Sequence, residues 1–235
     1  MIIERPSSAR GEADFGWLRS KHSFSFGSYH DPEWMGFGQL RVINDDTVAG
    51  GGGFAPHRHS NMEIISVVLA GALAHKDSSG NAGVIRTGDV QWMSAGHGIE
   101  HSEFNDSATD SVHFLQLWIQ PDRLNAEPAY GQQHFDPDAR RARWAVLASP
   151  DGEEGSLAIR QQAWLRATRL HEGDQLVATL DPARRYWLHV AQGEIRLGER
   201  VLQAGDALGF VDEEIAINLH GIAETSDVLL FDLPA

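Results

Sequence analysis

The sequence predicts an all-β protein built as two consecutive β-barrels. Three observations carry that expectation: short alternating or apolar runs, turn residues between them, and an echo of one half of the chain in the other. No long amphipathic helix is legible in the first half, and a regular succession of short strands suits a barrel or sandwich. With 235 residues, the chain is long enough for one large β domain or two smaller ones with their own cores.

In chain order, His22-Ser23-Phe24-Ser25-Phe26 alternates with period two and reads as a first strand, and residues 36–43 as a second. Asn44-Asp45-Asp46 consists of turn-forming residues and is read as a turn, with the glycines of 50–53 as a flexible approach to the next strand. Neither a helix start nor Gly-Lys-Ser/Thr follows those glycines, which argues for a conformational role rather than a phosphate loop. Residues 63–69 and 90–93 read as strands, and Val112–Ile119 as the longest apolar strand. Ala82-Gly83, Thr87-Gly88-Asp89 and Asn105-Asp106-Ser107 are the expected turns. Residues 121–150, with four prolines and many polar side chains, read as a connection with a short helix toward its end. The expected organisation is a first barrel over 1–125, a connecting segment over 126–148 and a second barrel over 149–235.

Charge and composition exclude several classes. A formal charge of −14 argues against direct binding of nucleic acid, which requires clustered Lys and Arg. The short basic cluster Arg140-Arg141-Ala142-Arg143 lies beside Asp136 and Asp138 and reads as a solvated connection. The absence of cysteine removes disulfides, thiolate ligands and cysteine catalysis. No apolar run is long enough to span a bilayer, and Met1-Ile2-Ile3-Glu4-Arg5-Pro6 lacks a signal peptide's apolar core, so a cytoplasmic location is expected.

The chemistry is concentrated between Pro56 and Asn105. His57-Arg58-His59 and His101-Ser102-Glu103 each place two ligand-type side chains at i and i+2, which on a strand puts both on one face. If both strands line one cavity, three imidazoles and a carboxylate converge as a metal site. A lone histidine is ordinarily a hydrogen-bonded core residue; two such pairs are harder to explain that way. The donors suit one divalent transition metal: iron first, with nickel, cobalt, copper, manganese or zinc as alternatives. Four protein ligands leave open positions, which catalysis requires. Glu63 is a rival carboxylate because it shares parity with His57 and His59; its other readings are an acceptor of hydrogen bonds behind the ligands or a member of a surface ion pair. Trp92 and Met93 lie on opposite faces of one strand, so only one can face the cavity. His113 is expected in the core, while His22, His75 and His220 have no partner at ligand spacing.

The internal echo locates a counterpart of this region. Leu69-Ala70-Gly71 followed by Thr87-Gly88-Asp89-Val90 is matched by Ala191-Gln192-Gly193 followed by Ala204-Gly205-Asp206-Ala207. Carried across at equal offsets, His57 and His59 fall on Thr179 and Asp181, and His101 and Glu103 on Asn218 and His220. One barrel is thus expected to be chemically equipped and the other not.

Gly51-x5-His57-x-His59-x3-Glu63 follows the first cupin motif, although Gly71 lies one residue beyond the usual glycine position. The second motif has Ser94 where proline is usual. Residues 88–103, Gly-Asp-Val-Gln-Trp-Met-Ser-Ala-Gly-His-Gly-Ile-Glu-His-Ser-Glu, match the pirin pattern. His22-Ser23-Phe24-Ser25-Phe26, Tyr29-x-Asp31-Pro32 and Leu40-Arg41-Val42-Ile43-Asn44-Asp45-Asp46 match it too. Over essentially its whole length the chain resembles the pirin family of bicupins. The resemblance implies two jelly-roll cupin barrels with the metal in the N-terminal one, held by His57, His59, His101 and Glu103. It is nearest to bacterial pirin-like proteins, some of which are quercetin 2,3-dioxygenases. That implies dioxygen and a flavonol as substrates, opening of the flavonol ring with release of carbon monoxide, and Glu103 or Glu63 as base. The alternatives are a metal-bearing regulatory or redox-sensing protein acting through a protein partner, or another small-molecule cupin enzyme.

Overall fold

A computed structural model describes residues 1–235. The first strands in chain order are β1 (Ile2–Arg5), β2 (Gly11–Asp14), β3 (Leu18–His22), β4 (Leu40–Val48), β5 (Gly53–His59) and β6 (Glu63–Ala70). Then follow β7 (Ala72–Asp77), β8 (Ala82–Arg86), β9 (Asp89–Ser94), β10 (Ile99–Asn105), β11 (Val112–Ile119) and β12 (Ala129–His134). The later strands are β13 (Ala145–Ser149), β14 (Leu157–Ala158), β15 (Trp164–Leu170), β16 (Gln175–Thr179) and β17 (Arg184–Gln192). They end with β18 (Glu194–Leu197), β19 (Arg200–Gln203), β20 (Ala207–Val211), β21 (Ala216–Gly221) and β22 (Ser226–Pro234). Single 3₁₀ turns occur at Ser7–Ala9, Asp138–Arg140 and Glu153–Gly155. No helix is long and apolar enough to cross a membrane.

Two compact units result: Gly11–Phe135 with Ile159–Gln161, and Met1–Arg10 with Asp136–Ala158 and Gln162–Ala235. Each contains a seven-stranded and a four-stranded sheet. In the first unit the orders are β12-β9-β6-β11-β4-β3-β2 and β5-β10-β7-β8. In the second they are β1-β20-β17-β22-β15-β13-β14 and β16-β21-β18-β19. Each pair of sheets encloses a core. In the first unit, Leu18, Val48, Val68, Val112 and Phe114 of the larger sheet pack with Leu73 and Ile85 of the smaller.

Several boundaries differ from the sequence expectations. Asn44, Asp45 and Asp46 lie inside β4, paired across β11 and β3, because their side chains have polar surroundings in the barrel that offset a low strand propensity. Only His22 of the first expected strand is in a strand; Phe24 is buried in an irregular stretch beyond it. Ala82 and Gly83 open β8, and the turn lies just before, where the Asp77 carboxylate accepts the backbone N–H groups of Ser79 and Asn81.

The domain limits are also drawn differently. Within the expected connection, β12 adds to the edge of β9 in the first unit, and Ile159–Gln161 also belongs there. Strand β1 pairs antiparallel with β20, which puts residues 1–10 in the second unit, in the edge position that β12 occupies in the first. Arg140 is not solvated. It is buried beside Asp227, to which Arg169 also donates, while Arg141 binds Asp174 through two nitrogens.

Candidate metal centre

Strands β5 and β10 are hydrogen-bonded neighbours, with His57 directly opposite His101 and His59 opposite Ile99. The register therefore brings together imidazoles that lie 42 to 44 residues apart in the chain. Ring centroids are separated by 4.4 Å for His57–His101, 4.8 Å for His57–His59 and 4.9 Å for His59–His101. One nitrogen from each ring lies within 4.8 Å of those of the other two. Between His101 and Glu103 the register with β5 shifts, so Glu103 faces Phe54.

These imidazoles fit a metal ion. The Nδ1 of His57 stands 2.8 Å from the Ala55 carbonyl, which can only accept, so Nδ1 carries the proton and Nε2 keeps a lone pair. Both ring nitrogens of His101 are buried without a hydrogen-bond partner, a costly arrangement that coordination of one nitrogen relieves. Burial, and then His57, lower the His59 pKa to about 4. Burial followed by the neighbouring imidazoles lowers His101 to about 2. Both rings are thus neutral near pH 7, the form that binds metals.

Glu103 is buried and lines the same cavity as His57 and His59, outside the tight imidazole cluster. Its carboxylate accepts from Gln116 Nε2 at 2.8 Å and from Ser66 Oγ at 3.3 Å. Burial raises its pKa, opposed by the Gln116 bond, His57 and Ser66. Glu63 has a different fate. The chain passes through Asn61 in the left-handed region (φ 51°) between β5 and β6, which breaks the parity that the sequence suggested. Fully buried, Glu63 accepts from Trp92 Nε1 at 2.7 Å, Ser94 Oγ at 2.5 Å and the Arg160 backbone N–H at 3.0 Å. It belongs to neither the imidazole cluster nor the cavity lining. Met93, on the other face of β9, packs with Ile64, Ala95 and Ile99. His113 bonds to Asp45 at 2.6 Å, and neither it nor Met93 lines the cavity.

The cavity beside the imidazoles has a volume of about 560 Å³, within the range of small-molecule sites. Phe15, Trp17, Phe26, Phe54 and Trp118 give it flat apolar walls, and Trp118 meets His59 edge-on at 4.8 Å. Ser20, His22, Asn44 and Asp46 also line it, and sequence reasoning gave none of them a role. The signal available was the i, i+2 spacing of Asn44 and Asp46, obscured because both residue types read as turn formers. Burial raises the Asp46 pKa to about 7, with Ser20 opposing and Glu103 adding to the rise. His75 is a further residue that spacing missed. It is buried with both nitrogens unpartnered, 5.4 Å from the His101 ring and stacked at 5.4 Å on Tyr130.

A paired-sheet barrel occurring twice in one chain, with clustered imidazoles in one copy, defines a bicupin. The family described as Pirin matches residues 4–119, and the quercetinase C-terminal cupin domain family matches residues 146–233. The chain belongs to the pirin family. It is 43% identical over 234 residues to the quercetin 2,3-dioxygenase of Escherichia coli (strain K12), covering 100% of this chain and 99% of that protein. Among solved structures, YhhW from Escherichia coli is 42% identical with a TM-score of 0.93, covering 100% of this chain and 98% of that one. The nickel(II) complex of the bacterial pirin YhhW is 41% identical, also with a TM-score of 0.93, covering 100% and 99%.

Proposed function

We propose that this protein is a metal-dependent dioxygenase that opens the ring of a flavonol such as quercetin, with dioxygen as co-substrate and release of carbon monoxide. The observation that carries the reading is the meeting of an imidazole cluster and flat aromatic walls in one cavity. The full-length similarity to a protein named quercetin 2,3-dioxygenase supports it. In this reading His57, His59, His101 and Glu103 hold one divalent transition metal. Iron is the first candidate, and the nickel complex of a relative keeps nickel beside it.

A bound ion supplies positive charge for the deprotonated 3-hydroxyl and the redox chemistry that dioxygen requires. The protein supplies the rest. Trp118, Phe54 and Trp17 sandwich the flat substrate and exclude water from it. Glu103, buried on the cavity wall, is the base placed to take the 3-hydroxyl proton. Gln116 and Ser66 fix the orientation of that carboxylate.

The test is oxygen uptake with gas analysis on metal-loaded protein and quercetin. One carbon monoxide released per dioxygen consumed is the expected result. Fully metallated protein that opens no ring across several flavonols would end the reading.

A further inference from the structure

The wall of the cavity formed by β3 and β4 carries a ladder of polar side chains. Ser20 stands opposite Asp46 and His22 opposite Asn44, and all four line the cavity. Three of them satisfy one another: His22 Nδ1 lies 2.7 Å from Asn44 Oδ1 and 3.3 Å from Ser20 Oγ. Asp46 differs. It is only 4% exposed, and its Oδ1 is buried with no hydrogen-bond partner. Unpaired buried carboxylate oxygens are disfavoured, so one on a residue that lines a ligand cavity points to a ligand donor. The aromatic walls, Phe15, Trp17, Phe26, Phe54 and Trp118, offer it no strong donor apart from indole N–H groups.

We propose that Asp46 is a recognition residue that accepts a hydrogen bond from a second hydroxyl of a flat aromatic ligand, distinct from the hydroxyl that binds at the imidazole cluster. The substrate class is thereby narrowed to polyhydroxylated aromatics with an unmethylated second hydroxyl. A site built to pair with a hydroxyl discriminates against an analogue that lacks it, because its acceptor is then left buried and unpaired. The proposal rests on the flavonol reading for the identity of the ligand, and its test separates the two.

The probes are quercetin and 3-hydroxyflavone, which carries only the metal-binding hydroxyl. Binding is followed without dioxygen by quenching of tryptophan fluorescence, Trp17 and Trp118 being in the walls, and turnover is measured in parallel. Wild type should prefer quercetin by about tenfold or more. Asp46→Leu should reduce that preference to near unity by weakening quercetin while leaving 3-hydroxyflavone unchanged. Asp46→Asn keeps an acceptor oxygen at nearly constant size and reports if the leucine variant fails to fold. It should retain a reduced preference, about threefold, because the charge-assisted bond is lost. An undiminished preference in the folded variants overturns the proposal, and ring opening by wild type would then leave the dioxygenase reading standing. Asp46-dependent binding without ring opening sinks the dioxygenase reading and keeps the recognition role. Absence of binding by either flavonol overturns both.

Discussion

The two barrels share a strand order over their central elements yet differ in what fills them. In the first, His57 stands opposite His101 on β5 and β10; in the second, Ala178 stands opposite Ile217 on β16 and β21. The match extends outward: His59 lies across from Ile99, and the Leu180 N–H donates to the Ile215 carbonyl. The counterparts of His57, His59, His101 and Glu103 are therefore Ala178, Leu180, Ile217 and Leu219, all buried in the second core. The sequence offsets pointed one residue away, to Thr179, Asp181, Asn218 and His220. Thr179 and Asn218 are exposed, on the other face of their strands. With Tyr186, Leu188, Phe210 and Leu230 completing an apolar filling, the second barrel is a packed core where the first keeps a cavity. One fold thus accommodates either filling, and the two barrels differ at these four inward positions.

The comparison breaks most directly at the metal. Native-loaded protein should hold one ion per chain by elemental analysis, and His101→Ala should lose it together with turnover while circular dichroism still reports a β fold. A second stoichiometric ion, or full retention by the variant, would contradict the assignment of chemistry to one barrel. The second barrel should respond in stability instead. Phe210→Ala removes a ring that is 1% exposed and should cost about 3–5 kcal/mol in denaturant unfolding, with metal content per folded chain unchanged.

The two glutamates of the first barrel sharpen the contrast between site and scaffold. Glu103→Gln should weaken metal retention under chelator challenge by about 10- to 100-fold. Glu63→Gln should leave retention nearly intact and cost about 1–3 kcal/mol of stability, because a neutral amide cannot serve Trp92, Ser94 and Arg160 together as the carboxylate does. Equal retention in both variants would remove the distinction.

The smallest effect is in pH. His59 and His101 resist protonation when folded, with pKa values lowered to about 4 and about 2, whereas the unfolded chain binds those protons near the ordinary value of 6.5. The folded state holds fewer protons in this window, so the stability of metal-free protein is full above pH 6.5 and declines as the pH falls toward the folded values. Asp46, with its raised pKa, acts in the opposite direction, so a variant comparison isolates the imidazoles. Thermal melting of metal-free wild type between pH 7 and 5 should fall by about a few degrees more than that of metal-free His101→Leu. Identical acid dependence would show that the cluster carries no such linkage.

Much of the scaffold was legible because it is locally encoded. The apolar run of β11 reads directly as Val112–Ile119, and Gly71 and Gly88 mark turns where φ is +80° and +91°. Both ligand pairs were visible at i, i+2 because a strand fixes that relation over three residues. Legibility ended where identity and context disagree. Asn44 and Asp46 favour turns in isolation, yet they sit mid-strand because the cavity gives their side chains polar neighbours.

By itself, then, the sequence determined the class of the protein: β-strands from alternation and turns, metal-type donors from spacing, and two barrels from the internal echo. Tertiary structure alone decided which donors meet. The pairing of β5 with β10 sets His57 against His101, a left-handed Asn61 turns Glu63 away, and β1 pairs with β20, which lies some two hundred residues further along the chain. These are relations of register between distant strands. A shift of one residue exchanges the inward and outward faces, and no local pattern of side chains fixes that choice.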